Sequence, residues 1–77
     1  MTQNIERPLD LLNLSKGKEI LAHLKTGKQL RGTLLAFDIH INVVLDNTKE
    51  LENGEVKRSL GLTFVRGDTI IFISPSS

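Results

Sequence analysis

Three hydrogen-bonding side chains stand at alternate positions in one short stretch, Asp38, His40 and Asn42. In an extended or gently turning backbone alternate residues share a face, so a carboxylate, an imidazole and an amide are presented together. The imidazole is a flat surface for stacking, and the amide offers a donor beside an acceptor. Further on, Val65-Arg66-Gly67-Asp68 repeats the design as a polar turn between two apolar runs, with a guanidinium plane and a second carboxylate. Whether these two turns meet decides what the side chains do together. Catalysis suits them poorly. No nucleophile stands beside a base, there is no glycine-rich phosphate loop, and zinc sites need three or four converging ligands, of which Asn is a poor one. The sequence therefore calls for no metal and no cofactor.

Composition bounds the rest. A chain of 77 residues is expected to form one small domain over residues 1–77, with a modest core unless it is stapled or self-associates. There is no cysteine, so disulfides and thiolate metal sites are excluded, and self-association is the remaining reinforcement. The formal net charge is only +1, so a nucleic-acid site must be local or multiplied by symmetry. No apolar run is long enough to span a bilayer and no apolar signal segment opens the chain, from which we expect no membrane partner and a cytoplasmic location.

The elements that must position the two turns are mostly strands. Pro8 suits the first turn of a short helix over about 8–14, with Leu9 and Leu12 on one side, Asp10 favouring its N-terminus and Gly17 as its stop. Alternation then predicts strands at about 19–25, 29–38, 42–50, 55–65 and 69–73, with Asn53-Gly54 the clearest hairpin turn. Connections this short exclude parallel neighbours, so an antiparallel meander is expected. Gly32 and Gly61 interrupt the two long strands, where glycine marks a bulge or sharp bend. The expected fold is all-β, a small, strongly bent, partly open five-stranded antiparallel barrel of SH3 type, capped by the helix. Phe37, Phe64 and Phe72 all read as core. The run from Thr69 to Ile73 is apolar on both faces without a charge, an unprotected edge that asks for pairing with another copy. If different edges pair head to tail, the contact generates a ring or a filament.

The whole pattern resembles the Sm and Sm-like (LSm) RNA-binding proteins, in particular their archaeal branch. The first Sm motif corresponds to Lys18 to Asp46, with Gly32, Asp38 and Asn42 in place, and the second to Leu60 to Ile73, centred on Val65-Arg66-Gly67-Asp68. Ile41 departs from the Met of many relatives, and the histidine-containing second motif of the bacterial branch does not match Arg66-Gly67. The resemblance implies a homo-oligomeric ring, a heptamer by preference with a hexamer also allowed, joined through the edges of the fourth and fifth strands. It implies uridine-rich single-stranded RNA at the pore and a role as scaffold or chaperone in RNA processing, not an enzyme. By the same resemblance Asn42 bonds the uracil edge, Asp68 buttresses Asn42, His40 and Arg66 sandwich the base, and Gly67 allows close backbone approach. Arg66 is supplied by the same subunit or by its neighbour.

Residue chemistry agrees, because single-stranded RNA is read by splaying bases onto planar groups and bonding their edges. With no Tyr or Trp in the chain, the planes available at the turns are His40 and Arg66. Each residue also has a plainer role: Asn42, Asp38 and Gly67-Asp68 form turns well, and His40 and Arg66 singly suit a solvated surface. The competing reading is a ring that scaffolds protein partners without recognising bases. His23 alternates with apolar neighbours on the first strand and receives no role.

Overall fold

The computed structural model describes residues 5–76. Helix α1 spans Pro8–Ser15. The Asp10 carboxylate accepts the backbone N–H groups of Glu6 at 3.0 Å and Arg7 at 2.9 Å, donors that a helix start leaves unpaired. Those bonds, Glu6 first, and then the charge of Arg7 hold its pKa below the ordinary carboxylate value. Eight residues are too few for an independent helix, and α1 persists by laying Leu12 and Leu9 on the sheet. Its exit is stitched down where the Gly17 N–H donates to the Leu34 carbonyl at 2.8 Å.

Five strands follow: β1 (Glu19–Leu24), β2 (Gln29–Phe37), β3 (Val43–Glu52), β4 (Glu55–Val65) and β5 (Ile70–Pro75). They form one antiparallel sheet in the order β4-β3-β2-β1-β5. The expected meander holds only through β4. The connection after Val65 is no hairpin: a single 3₁₀ turn, Gly67–Thr69, carries the chain from one edge to the other, where β5 pairs with β1. The strand bounds shift accordingly. β5 begins at Ile70 because Thr69 belongs to that turn, and β3 reaches Glu52 because the Asn53-Gly54 turn closes on a Glu52–Glu55 pair.

Bending brings the edges within reach of so short a crossing. The β2–β3 register breaks at Gly32, where a Cβ would meet the Asp46 carbonyl and the Thr48 hydroxyl at 3.0 Å. Gly61 lies opposite Thr48 with φ 72°, at a break in the β3–β4 register. An L-residue at that φ would be strained, so the bend belongs to glycine. The concave side holds Ile20, Ala22, Leu30, Leu34, Val43, Leu45 and Val65, with Leu12 closing one end. At the far end of β3 the buried Glu50 carboxylate receives Lys28 at 3.0 Å and Arg58 at 2.8 Å. These bonds, Lys28 first, lower its pKa from the usual value.

Two of the three aromatics are not core. Phe64 and Phe72 are 63% and 51% exposed, on the outward faces of the edge strands, and only Phe37 packs against the interior. The sheet does not close on itself. β4 and β5 keep free edges, and Leu62, Phe64, Ile71 and Phe72 leave apolar surface along them.

Candidate nucleic-acid interface

The two polar turns meet. After β2 the chain reverses through Asp38–Asn42, and the Asp38 carboxylate organises the reversal. Its Oδ1 accepts the backbone N–H groups of His40 at 2.8 Å and Asn42 at 3.1 Å, while Oδ2 accepts the Asn42 side-chain amide at 3.1 Å. These bonds, the Asn42 amide foremost, draw the Asp38 pKa below its ordinary value. They also support Ile41, whose φ of 62° places a β-branched residue in the left-handed region.

The second turn docks onto the first through Gly67. Its N–H donates to Asn42 Oδ1 at 2.8 Å. A Cβ there would overlap the His40 carbonyl oxygen and lie 2.8 Å from the Ile41 carbonyl carbon, so only glycine lets the backbones approach this closely. Asn42 is thus fixed from both sides, oxygen toward Gly67 and nitrogen toward Asp38. One amide hydrogen and one acceptor lone pair remain for a ligand.

His40, Asn42, Arg66, Gly67 and Asp68 line one open cleft of about 500 Å³. All five residues singled out from the sequence are therefore brought together, but two details differ from expectation. Asp68 does not buttress Asn42. It pairs with Arg66 at 2.8 Å, two residues away on the same turn, and Asp38 takes the buttressing place because it sits at the base of Asn42's own loop. The cleft also has a lining residue that the sequence reading put in the core, Phe64. Strand alternation carries the signal for it: Leu62 and Phe64 share the outward face of β4 while Val65 faces inward. Among the described residues, no group of three or more His, Asp or Glu converges to hold a metal ion, and no helix is long and apolar enough to cross a membrane.

A half-open, bent five-stranded sheet with a polar cleft where two turns interlock defines a class of small β protein. Residues 10–75 match the family model described as the LSM domain, and the chain belongs to that family, the Sm-like proteins. It is 49% identical over 70 residues to an Sm-like protein of Archaeoglobus fulgidus, covering 91% of each chain. Among solved structures it is similar to the Sm protein of Pyrococcus abyssi in complex with a uridine heptamer. The TM-score is 0.89 and the identity 44%, over 92% of this chain and 100% of that one. It is also similar to the P. aerophilum SmAP1 heptamer, with a TM-score of 0.86 and 34% identity over 95% and 97% of the two chains.

Proposed function

We propose that copies of this chain pair β4 to β5 into a closed ring, of seven by preference, and bind uridine-rich single-stranded RNA at its pore. The ring acts as a scaffold or chaperone for RNA in the cytoplasm and carries out no reaction on it. The observation that carries the reading is the two-sided clamp on Asn42. A fixed amide presents its donor and acceptor in one order only. Uracil offers an acceptor, O4, beside a donor, N3–H; cytosine offers the reverse order in a ring of equal size. A free amide would turn over and accept either, whereas a clamped one discriminates. His40 and the exposed Arg66 guanidinium supply planes above and below such a base, with Arg66 oriented by Asp68. The Pyrococcus relative holding a uridine heptamer and the P. aerophilum heptamer support both halves of the proposal.

A ring without base recognition draws on the same Arg66–Asp68 pair, which satisfies both charges with no ligand. Binding isotherms separate the two. Oligouridine should bind in preference to oligocytidine and oligoadenosine. Asn42→Ala should erase that preference by ~1–3 kcal/mol per occupied site with an unchanged salt slope, since no cation is lost. Uridine preference that survives Asn42→Ala in an intact ring would remove base reading from this residue.

A further inference from the structure

Ile41, Asn47 and Asn53 are the non-glycine residues of positive φ among those described, and Ile41 is the odd one. Asn enters the left-handed region readily, whereas a β-branched side chain at φ 62° is strained. Such an angle persists only where the surroundings over-determine it. Two sets of contacts do so here. In the backbone, the Ile41 N–H donates to the Asp38 carbonyl at 3.0 Å and the Asp38 N–H to the Asn42 carbonyl at 3.2 Å. The Ile41 side chain is half-buried and packs against the core cluster that contains Leu12 of α1. It lines two gaps beside that helix, one of about 500 Å³ shared with Pro8, Leu9 and Asn13, and one of about 260 Å³ shared with Leu11, Leu12 and Ile70.

The two neighbours of Ile41 go the other way. His40 and Asn42 line the base cleft, and Ile41 does not. The Ile41 carbonyl also lies where Gly67 docks, its carbon 2.8 Å and its oxygen 2.9 Å from the place a Gly67 Cβ would take. The backbone of Ile41 therefore bears on the same joint that fixes Asn42. Relaxing φ at residue 41 would rotate the peptide groups on either side and carry His40 and Asn42 off their aim. Burial of the apolar side chain against α1 opposes that relaxation. A helix of eight residues depends in turn on such contacts.

We infer that Ile41 is a positioning residue that couples helix α1 to the base cleft. Its side chain, seated against the helix, holds the strained backbone angle that keeps His40 and Asn42 turned to the ligand. The inference rests on the uridine reading above and deepens it. Coupling of this kind is reciprocal, so ligand in the cleft must also steady the helix. Two variants separate angle from packing: Ile41→Asn accepts the angle but cannot pack against α1, and Ile41→Leu packs but lacks the branched Cβ. With uridine and cytidine heptamers on the assembled protein, the preference for uridine should fall roughly threefold to thirtyfold in Ile41→Asn. It should keep its wild-type value in Ile41→Leu. Saturating uridine heptamer should slow hydrogen exchange at the α1 amides of Leu12 to Ser15 in the wild type and in Ile41→Leu, but not in Ile41→Asn. Full preference in Ile41→Asn would mean that the angle alone positions the cleft. Lost preference in Ile41→Leu would mean that packing is not the anchor, and α1 protection that persists in Ile41→Asn would mean that RNA touches the helix itself. Each of these overturns the coupling. Should Ile41→Asn not fold, α1 amides that fail to slow in the wild type or in Ile41→Leu overturn it equally. A wild type without uridine preference would instead sink the reading of the cleft on which the role of Ile41 depends.

Discussion

The Asn42 amide is denied rotation by the groups around it, and the two carboxylates near it have separate tasks. Asp38 holds the amide; Asp68 holds the guanidinium. Asp38→Ala should therefore behave like Asn42→Ala, losing discrimination between oligouridine and oligocytidine. Asp68→Ala should keep discrimination and steepen the salt dependence, because Arg66 is left with an uncompensated charge to offer to phosphate. Isotherms at two salt concentrations for both variants check the contrast. The same clamp gives a pH signature. The Asp38 pKa is lower in the folded chain than its ordinary value. Its contribution to the turn is thus complete above the ordinary carboxylate pKa and fades as pH falls through the depressed folded one. Uridine preference should stay flat from neutral pH down through the ordinary carboxylate range and decline only below it. A decline that begins near neutrality would separate the preference from the Asp38 carboxylate. Sequence alone singled out the five residues that line the cleft but gave Asp68 the place beside Asn42 that Asp38 takes. The Asn42–Gly67 bond spans 25 residues, and spacing does not reveal which acid lies within reach of a side chain held that way.

At the scale of elements, local signals were legible and side assignments were not. Pro8, Asn53-Gly54 and the two strand glycines each fix backbone geometry through their own chemistry, and the structure has a helix, a hairpin and bends there. Which edge β5 joins depends on the accumulated curvature of the whole sheet, and no short window of sequence contains that. The same holds for Phe64 and Phe72, since an apolar residue on an edge strand looks identical in sequence whether it faces the core or solvent. The joint between the turns depends on one missing Cβ. Gly67→Ala should push the 3₁₀ turn off the His40 carbonyl, break the bond to Asn42 and lower stability by roughly 2–4 kcal/mol, the upper range for single substitutions. Urea unfolding gives the midpoint. A loss of base preference in the same variant, under conditions where it is folded, would show that the docking of the turns and the orientation of the amide are one device.

For the whole molecule, weak single-site chemistry and a net charge of only +1 make sense through repetition. A ring presents one Arg66 and one clamped Asn42 per copy, so a strand that follows the pore binds by successive intramolecular steps. The free edges decide whether that ring exists. Leu62 is 69% exposed on β4 and Ile71 61% exposed on β5, and full burial of such side chains is worth ~1.5–3 kcal/mol each before the cost of association. Because the two edges differ, the contact is heterologous, and each copy uses β4 once and β5 once. Leu62→Lys should spoil only the β4 side and Ile71→Lys only the β5 side, since an unpaired charge cannot enter an apolar seam. Each variant alone should then run as a monomer in native mass spectrometry. Mixed together, the sound β5 of the first can meet the sound β4 of the second, and assembly should stop at a heterodimer because the outer edges of that pair are both spoiled. If β5 instead paired with β5, Leu62→Lys alone would still dimerise and mixing would add nothing. A dimer in the unmixed Leu62→Lys sample would therefore refute head-to-tail closure, and with it the route by which one Arg66 per copy becomes a continuous pore.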